Sequence, residues 1–269
     1  MKLINLVSRL HCKVFARPAF RRFNMGLVYL GLNGLGVLNY QDDDVSGEKY
    51  LLSEWLPRML AGETPVIFDV GANIGHYSQM LVEQFPTAFV HAFEPHPKNY
   101  AKFLQRGFPA ERVKCHNIAV GAEKGSLTLY DHADGAGSTH ASAYEATITD
   151  FHHDAAVATT VPVETLDEVA TREGVSRIDF LKIDTEGHEL AVLAGAARLL
   201  RERRIRFIQF EFNALHVFSR VFFRDFRQAL GDYELYRLLP KGLLKLDSDV
   251  TFTEIFAFQN VVAVPKSGP

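Results

Sequence analysis

The run Val66-Ile-Phe-Asp-Val-Gly-Ala-Asn-Ile-Gly-His76 limits what this chain can become more than any other stretch. Strand-forming residues pass straight into a loop with glycines at 71 and 75, and a helical pattern follows. In a parallel α/β sheet such a loop receives a nucleotide-like ligand, because the chain turns sharply and backbone N–H groups at the next helix start face outward. Glycine serves where φ must be positive or where a side chain would block the ligand. The spacing is D-x-G-x-N-x-G, unlike the G-x-G-x-x-G of pyrophosphate-binding loops. Asp69 at the strand end would repel a pyrophosphate and attract a cationic ligand. S-adenosylmethionine (SAM) carries a sulfonium and an amino group without a phosphate, so it suits this loop better than NAD.

A second acid points the same way. Thr87–Phe93 reads as the next strand and ends at Glu94-Pro95. An acid at that tip accepts hydrogen bonds from ribose hydroxyls in this type of fold. The plainer alternative makes Asp69 and Glu94 helix caps. Against it, both acids fall at the carboxyl edge of consecutive strands.

Strand and helix then alternate. A helical stretch over 53–61 leads into strand 66–70, and helix 74–84, strand 88–93 and helix 97–106 follow. Next come strand 113–120, strand 126–130 and an extended stretch at 159–163. Helix 166–172, buried strand 178–183, helix 190–203, strand 205–212, helix 222–230 and strands 233–239 and 256–264 complete the chain. This predicts an α/β fold with a doubly wound, mostly parallel sheet and an antiparallel edge. The polar segment 131–158 lacks a period and is long for a loop, which suggests a substrate lid. Its Asp131, His132, Asp134, His140, His152, His153 and Asp154 match no metal-site spacing.

The 269 residues, 47% hydrophobic, suit one sizeable domain over 63–269 with an extension over 1–62. A net charge of −3 argues against nucleic acid as a partner. Cys12 and Cys115 lie far apart, which fits a reducing, cytoplasmic setting. Residues 1–41 hold six basic residues and no acid, and Leu3, Ile4, Leu6, Val7, Leu10, Val14 and Phe15 recur at helical spacing. Such a basic amphipathic helix suits an anionic membrane surface through residues 1–40, or packs on the domain or on a second subunit. No run reaches the length of a membrane span, and no signal peptide is expected.

The other unusual string is Asp179-Phe-Leu-Lys-Ile-Asp-Thr-Glu-Gly-His188. A buried strand ends in Asp184, Glu186 and His188, with Lys182 on the face of Asp184. Charged groups are expensive there unless they pair or do chemistry. Glu211, at the end of the following strand, joins them at the ligand edge of the sheet.

Together these strings resemble the FkbM family of SAM-dependent methyltransferases. The carriers are Phe68-Asp-Val-Gly-Ala-Asn-Ile-Gly75, Ala92-Phe-Glu-Pro95, Asn117-Ile-Ala-Val-Gly121, Val163-Glu-Thr-Leu-Asp167 and Leu181-Lys-Ile-Asp-Thr-Glu-Gly-His-Glu189. The resemblance implies the seven-stranded, Rossmann-like class I methyltransferase sheet. It also implies O-methylation of a hydroxyl on a sugar, glycolipid or natural product. By position, Asp69, Gly71, Asn73 and Gly75 would line the methionine part of SAM. Glu94 would hold the ribose, Asn117 and Ala119 would lie near the adenine, and Ser138 would approach the cofactor.

Deprotonating a hydroxyl takes a base or a metal. Asp184, Glu186, His188 and Glu211 are the candidate catalytic residues. A carboxylate base, Asp184 or Glu211, with Glu186 holding the acceptor, is the expectation. Glu186 can instead cap the helix that follows, and Lys182 reads as a partner for an acid. Three close carboxylates also suit Mg²⁺. Other readings are a dinucleotide-binding oxidoreductase and a non-catalytic SAM-binding partner subunit.

Overall fold

The computed structural model describes residues 2–132, 137–138 and 141–266. Among them eleven strands form two sheets: β1 (Val66–Val70), β2 (Phe89–Phe93), β3 (Val113–His116), β4 (Ala119–Val120), β5 (Gly125–His132), β6 (Ala156–Glu164), β7 (Ile178–Ile183), β8 (Ile205–Phe212), β9 (Tyr233–Leu239), β10 (Gly242–Lys245) and β11 (Gln259–Pro265). The larger sheet has the order β3-β2-β1-β7-β8-β11-β9-β10. The five strands from β3 to β8 are parallel, whereas β11 runs antiparallel to both β8 and β9. This is the doubly wound class I methyltransferase arrangement with an antiparallel edge. It has an eighth strand beyond the seven expected, because the turn at Pro240-Lys241 folds β10 back onto β9.

Alternation along the central strands feeds two apolar layers. Phe68, Val70, Leu181 and Ile183 pack with Leu166, Val169, Val192 and Phe226 on one side. Ile67 and Phe180 pack with Leu51, Leu56, Leu81 and Phe103 on the other. Both faces of β7 are covered, so all six of its residues are buried and its sequence reads as one apolar run. The chain leaves β1 for β2 on one side and returns with β7 on the other. That reversal opens a crevice at the carboxyl ends of β1 and β7.

Three local features depart from the periodicity. The strand expected over 113–120 breaks at Asn117-Ile118, where the Asn117 amide donates to the carbonyls of Glu94 and Pro95 at 2.9 and 3.0 Å. The chain then enters a second sheet, β4-β6-β5, which no sequence signal announced. Pairing of β5 with β6 from Gly125↔Val163 to His132↔Ala156 takes in both ends of the suspected lid. Within that lid, Asp134 and His140 lie outside the described residues. Finally, helix 190–203 divides into Glu189–Ala194 and Ala197–Arg201. A Cβ on the intervening Gly195 would sit 2.0 Å from the Gly121 carbonyl oxygen, so the close approach needs glycine.

Before β1, helices Lys2–Phe15 and Arg21–Gly34 precede a segment that joins the core at Val37. The second helix runs through Gly26 and Gly31 and has no buried residue.

Gly71 joins the two halves of the crevice. It has φ +85°, and a Cβ there would lie 1.7 Å from the Asp184 carbonyl oxygen. Gly71→Ala is expected to cost about 3 kcal/mol or more, combining left-handed strain with overpacking. Gly62→Ala, at φ +77° with open space around it, should cost about 1 kcal/mol from strain alone. Urea midpoints of the two variants check this, and equal losses would refute the steric argument.

Candidate active site

The glycine loop is built around Glu94. The N–H groups of Gly71 and Ala72 both donate to the Phe93 carbonyl at 3.0 Å. Asn73 is held left-handed at φ +49°, and its N–H donates to Glu94 Oε2 at 2.8 Å. Glu94 Oε1 accepts the His96 N–H at 2.8 Å. Burial pushes the Glu94 carboxyl up to about 7, against the pull of those two N–H groups. Each oxygen keeps acceptor capacity for another donor. Gly75, at φ +86°, packs where a Cβ would meet the Phe103 ring at 2.8 Å.

Asp69 lies under this loop, fully buried. The Ser78 hydroxyl donates to its Oδ2 at 2.6 Å, and Oδ1 finds no hydrogen-bond partner among the described residues. Strand register sets Asp69 opposite Lys182 and Lys182 opposite Gln209, so one polar row crosses β1, β7 and β8. Lys182 is 5% exposed, lies 2.9 Å from Asp184 Oδ2 and sits 4.9 Å above the Tyr77 ring centroid. Burial alone would lower its proton affinity. The charges of Asp184, Asp69 and Glu48 outweigh burial and hold the lysine above its ordinary value.

Two residues further along these strands stand Asp184 and Glu211. Burial, then the charge of Asp184, lifts Glu211 well above the usual carboxylate range, with Glu186 adding to the effect. Glu186 is lifted in the same way by burial and by Asp184 and Glu189. Glu48 is raised by burial too, although Lys182 and a 2.8 Å bond from the Gln209 amide oppose it. Acids in this state accept a proton near neutral pH more readily than exposed ones.

The loop that carries Asp184 and Glu186 is fastened from below. Glu189 Oε1 accepts the N–H groups of Thr185 at 2.8 Å and Gly187 at 3.2 Å. Its other oxygen lies 2.9 Å from His216 Nε2, and both side chains are fully buried. The Asn213 N–H donates to His216 Nδ1 at 3.2 Å, which ties the ring to the turn after β8. The alternative in which Glu186 caps the following helix is not seen: helix Glu189–Ala194 starts after His188, whose side chain makes no cap bond, and Glu189 holds the loop before it. Glu186 itself, at φ +53°, belongs to the wall of the cleft. His188 is half-buried near Tyr144, whose hydroxyl is 3.5 Å from Nδ1. Burial lowers its basicity, with Glu189 opposing.

These groups surround a cleft of about 1080 Å³. Gly71, Asn73, Glu94, Ala119, Ser138, Asp184, Glu186, His188 and Glu211 line it, whereas Asp69, Gly75 and Asn117 support it from behind. The Ser138 hydroxyl donates to Asp131. Ile118, Leu127, Leu129 and Phe151 supply an apolar wall. The suspected lid contributes Ala141, Ala143 and His152, and is pinned where the Ser142 hydroxyl donates to the Glu186 carbonyl at 2.8 Å. Among the described residues, no three histidine, cysteine or carboxylate groups are arranged to hold a metal ion. The Mg²⁺ expectation therefore finds no ligand set, and the cation set among these acids is the Lys182 ammonium.

The sequence reading missed Glu48, Tyr77 and Gln209. The Tyr77 hydroxyl donates to Gln209 Oε1 at 2.5 Å, and Gln209 donates to Glu48 and to Asn260. Gln209 did carry a signal, as an amide within the apolar strand Ile205–Phe212. Glu48 carried none, since it reaches the cleft from the segment before β1.

Residues 69–238 match the family described as the methyltransferase FkbM domain. The chain is 26% identical over 200 residues to the 2-O-methyltransferase NoeI of Sinorhizobium fredii, covering 69% of this chain and 79% of that one. It is 26% identical to the hexuronic acid methyltransferase AglP of Haloferax volcanii, covering 64% of each. With the 31-O-demethyl-FK506 methyltransferase FkbM of Streptomyces tacrolimicus it shares 33% identity, over 48% of this chain and 58% of that one. Among solved structures, the plantazolicin methyltransferase BpumL superposes with a TM-score of 0.43 at 9% identity, covering 96% of this chain and 94% of that one. The family match covers more than half of the chain and takes in both the glycine loop and the acid cluster, so the protein belongs to the FkbM family and is a SAM-dependent methyltransferase.

Proposed function

We propose that this enzyme O-methylates a hydroxyl of a sugar, glycolipid or related natural product. The observation that carries the reading is the pair Glu186 and Glu211, two half-buried acids of raised pKa that both line the cleft. The names of the relatives support it, since one is a 2-O-methyltransferase and another a hexuronic acid methyltransferase. The reading takes the acceptor as a small molecule or glycan, with peripheral membrane contact through residues 1–40 and cytoplasmic residence.

The cleft fits SAM. It has a glycine loop that side chains would close, a buried Asn73 Oδ1 without a partner among the described residues, and Glu94 with spare acceptor capacity. In this reading Gly71 and Asn73 hold the methionine part, braced by Asp69 and Gly75. Glu94 holds the ribose, and Ala119 lies against the adenine, with Asn117 fixing the backbone behind it and Ser138 closing the far side. When bound, SAM supplies an electrophilic methyl group. Glu211 takes the proton from the acceptor hydroxyl, while Asp184, fixed by Lys182, and Glu186 orient the acceptor. His188 is the alternative proton acceptor. Glu211 is given the base role over Asp184 because burial raises its proton affinity, whereas the Asp184 carboxylate is already engaged by the Lys182 ammonium at 2.9 Å.

Three results would test this. Methyl-labelled SAM should place label in glycan or glycolipid fractions in a form stable to mild base. A base-labile product would be an ester and would overturn the hydroxyl acceptor. For the base, Glu211 works only when ionised, so kcat should rise with pH through a limb above the usual carboxylate range. Glu211→Gln should lower kcat by about 10²–10⁴-fold and remove that limb; a limb that persists would exclude Glu211. For the cofactor, ribose hydroxyls donate to the ionised form of Glu94, so SAM affinity should weaken as pH falls below about 7. Calorimetry on Glu94→Gln should show weaker binding with that pH dependence gone.

A further inference from the structure

The two N-terminal helices are unlike the rest of the molecule. On Lys2–Phe15, the residues Leu3, Ile4, Leu6, Val7, Leu10 and Val14 are 50–74% exposed. Positions 3, 7, 10 and 14 form one stripe at helical spacing. That stripe is not the contact with the second helix, which is made by His11 and Phe15. His11 Nε2 lies 2.9 Å from Asn24 Oδ1, and the Phe15 ring packs on Phe20 and Phe23. On Arg21–Gly34, the exposed residues include Met25, Val28 and Leu30. Exposed apolar residues gathered on neighbouring helices, rimmed by polar ones, mark an interaction surface.

Charge selects the occupant. Residues 1–41 carry six basic residues and no acid, so they hold +6, whereas residues 42–269 hold −9 within the chain's −3. Arg9, Lys13, Arg17, Arg21 and Arg22 are all exposed around the apolar stripe. A second copy would set +6 against +6. An anionic lipid surface attracts the helices and repels the body, which fixes orientation as well as affinity. Among the described residues no helix is long and apolar enough to cross a bilayer, and a basic amphipathic helix binds such a membrane in the plane of its surface. The chain runs from the second helix directly into the cleft. Leu38 donates its N–H to the Phe258 carbonyl at 2.7 Å, and Leu38, Tyr40 and Gln41 line the mouth beside Phe258.

We infer that the two N-terminal helices dock this enzyme on an anionic membrane surface and that its acceptor hydroxyl is carried on a lipid. The second half rests on the O-methyltransferase reading; the first does not. The test uses the full chain and vesicles of phosphatidylcholine with or without phosphatidylserine. Binding to the anionic vesicles should be at least about tenfold tighter and should weaken in high salt. A variant combining Arg9→Ser, Lys13→Ser, Arg21→Ser and Arg22→Ser should lose that preference while its SAM affinity stays unchanged. Equal binding to both vesicle types, or a dimer dispersed by Leu6→Ser and Leu10→Ser, would overturn the docking. With methyl-labelled SAM and source membranes, label should enter the lipid extract and fall about tenfold in the charge variant. Label confined to water-soluble glycans would overturn the lipid-borne acceptor. Vesicle binding without label in any fraction would leave the docking standing and count against the O-methylation reading.

Discussion

The ammonium of Lys182 is the interaction on which the active site depends. It lies beneath the sheet edge with Asp69 on one side, Asp184 above it and Glu48 arriving from the segment before β1. Without that charge, the buried Asp69 carboxylate would face the half-buried Asp184 and Glu48 uncompensated, and one unpaired buried ion costs about 3–5 kcal/mol. With it, Asp184 is paired at 2.9 Å, while burial gives the acids further out, Glu186 and Glu211, a high proton affinity. One buried cation thus pairs directly with Asp184, while two similar side chains stand further out with proton affinities raised by burial.

Rigidity comes from a second buried pair. Glu189 and His216 lock the loop after β7 to the turn after β8. The left-handed backbone at Glu186 is therefore held from below, leaving that side chain free for the cleft. A reacting hydroxyl must be placed closely for displacement to be fast, and a braced loop does this better than a mobile one.

Much of this was legible in the sequence, and the reasons differ residue by residue. The glycine loop and Glu94 could be read because strand ends, turn residues and acids leave a local signature, and the structure sets Gly71, Asn73 and Glu94 in one wall. The string from Lys182 to Glu189 announced a polar cluster, but not which acid turns back to the backbone. Spacing alone treats Glu186 and Glu189 alike, and only the packing of His216 decides between them. Glu48 and the second sheet were invisible, since each depends on contacts between segments far apart in the chain. Gln209 was visible and passed over, as an amide in the middle of an apolar strand.

The order of the large sheet bears on how this protein can be divided. The stretch that matches the family ends at residue 238, yet β11, at Gln259–Pro265, is wedged between β8 and β9 in the interior of the sheet. At the other end, Leu51, Leu52, Leu56 and Leu60 cover one face of the same sheet. A fragment trimmed to the limits of recognisable similarity would have a slot in place of an inner strand and one face stripped of part of its cover. The portable unit is therefore larger than the recognisable one, and anyone grafting this catalytic module onto another protein must carry both flanks with it.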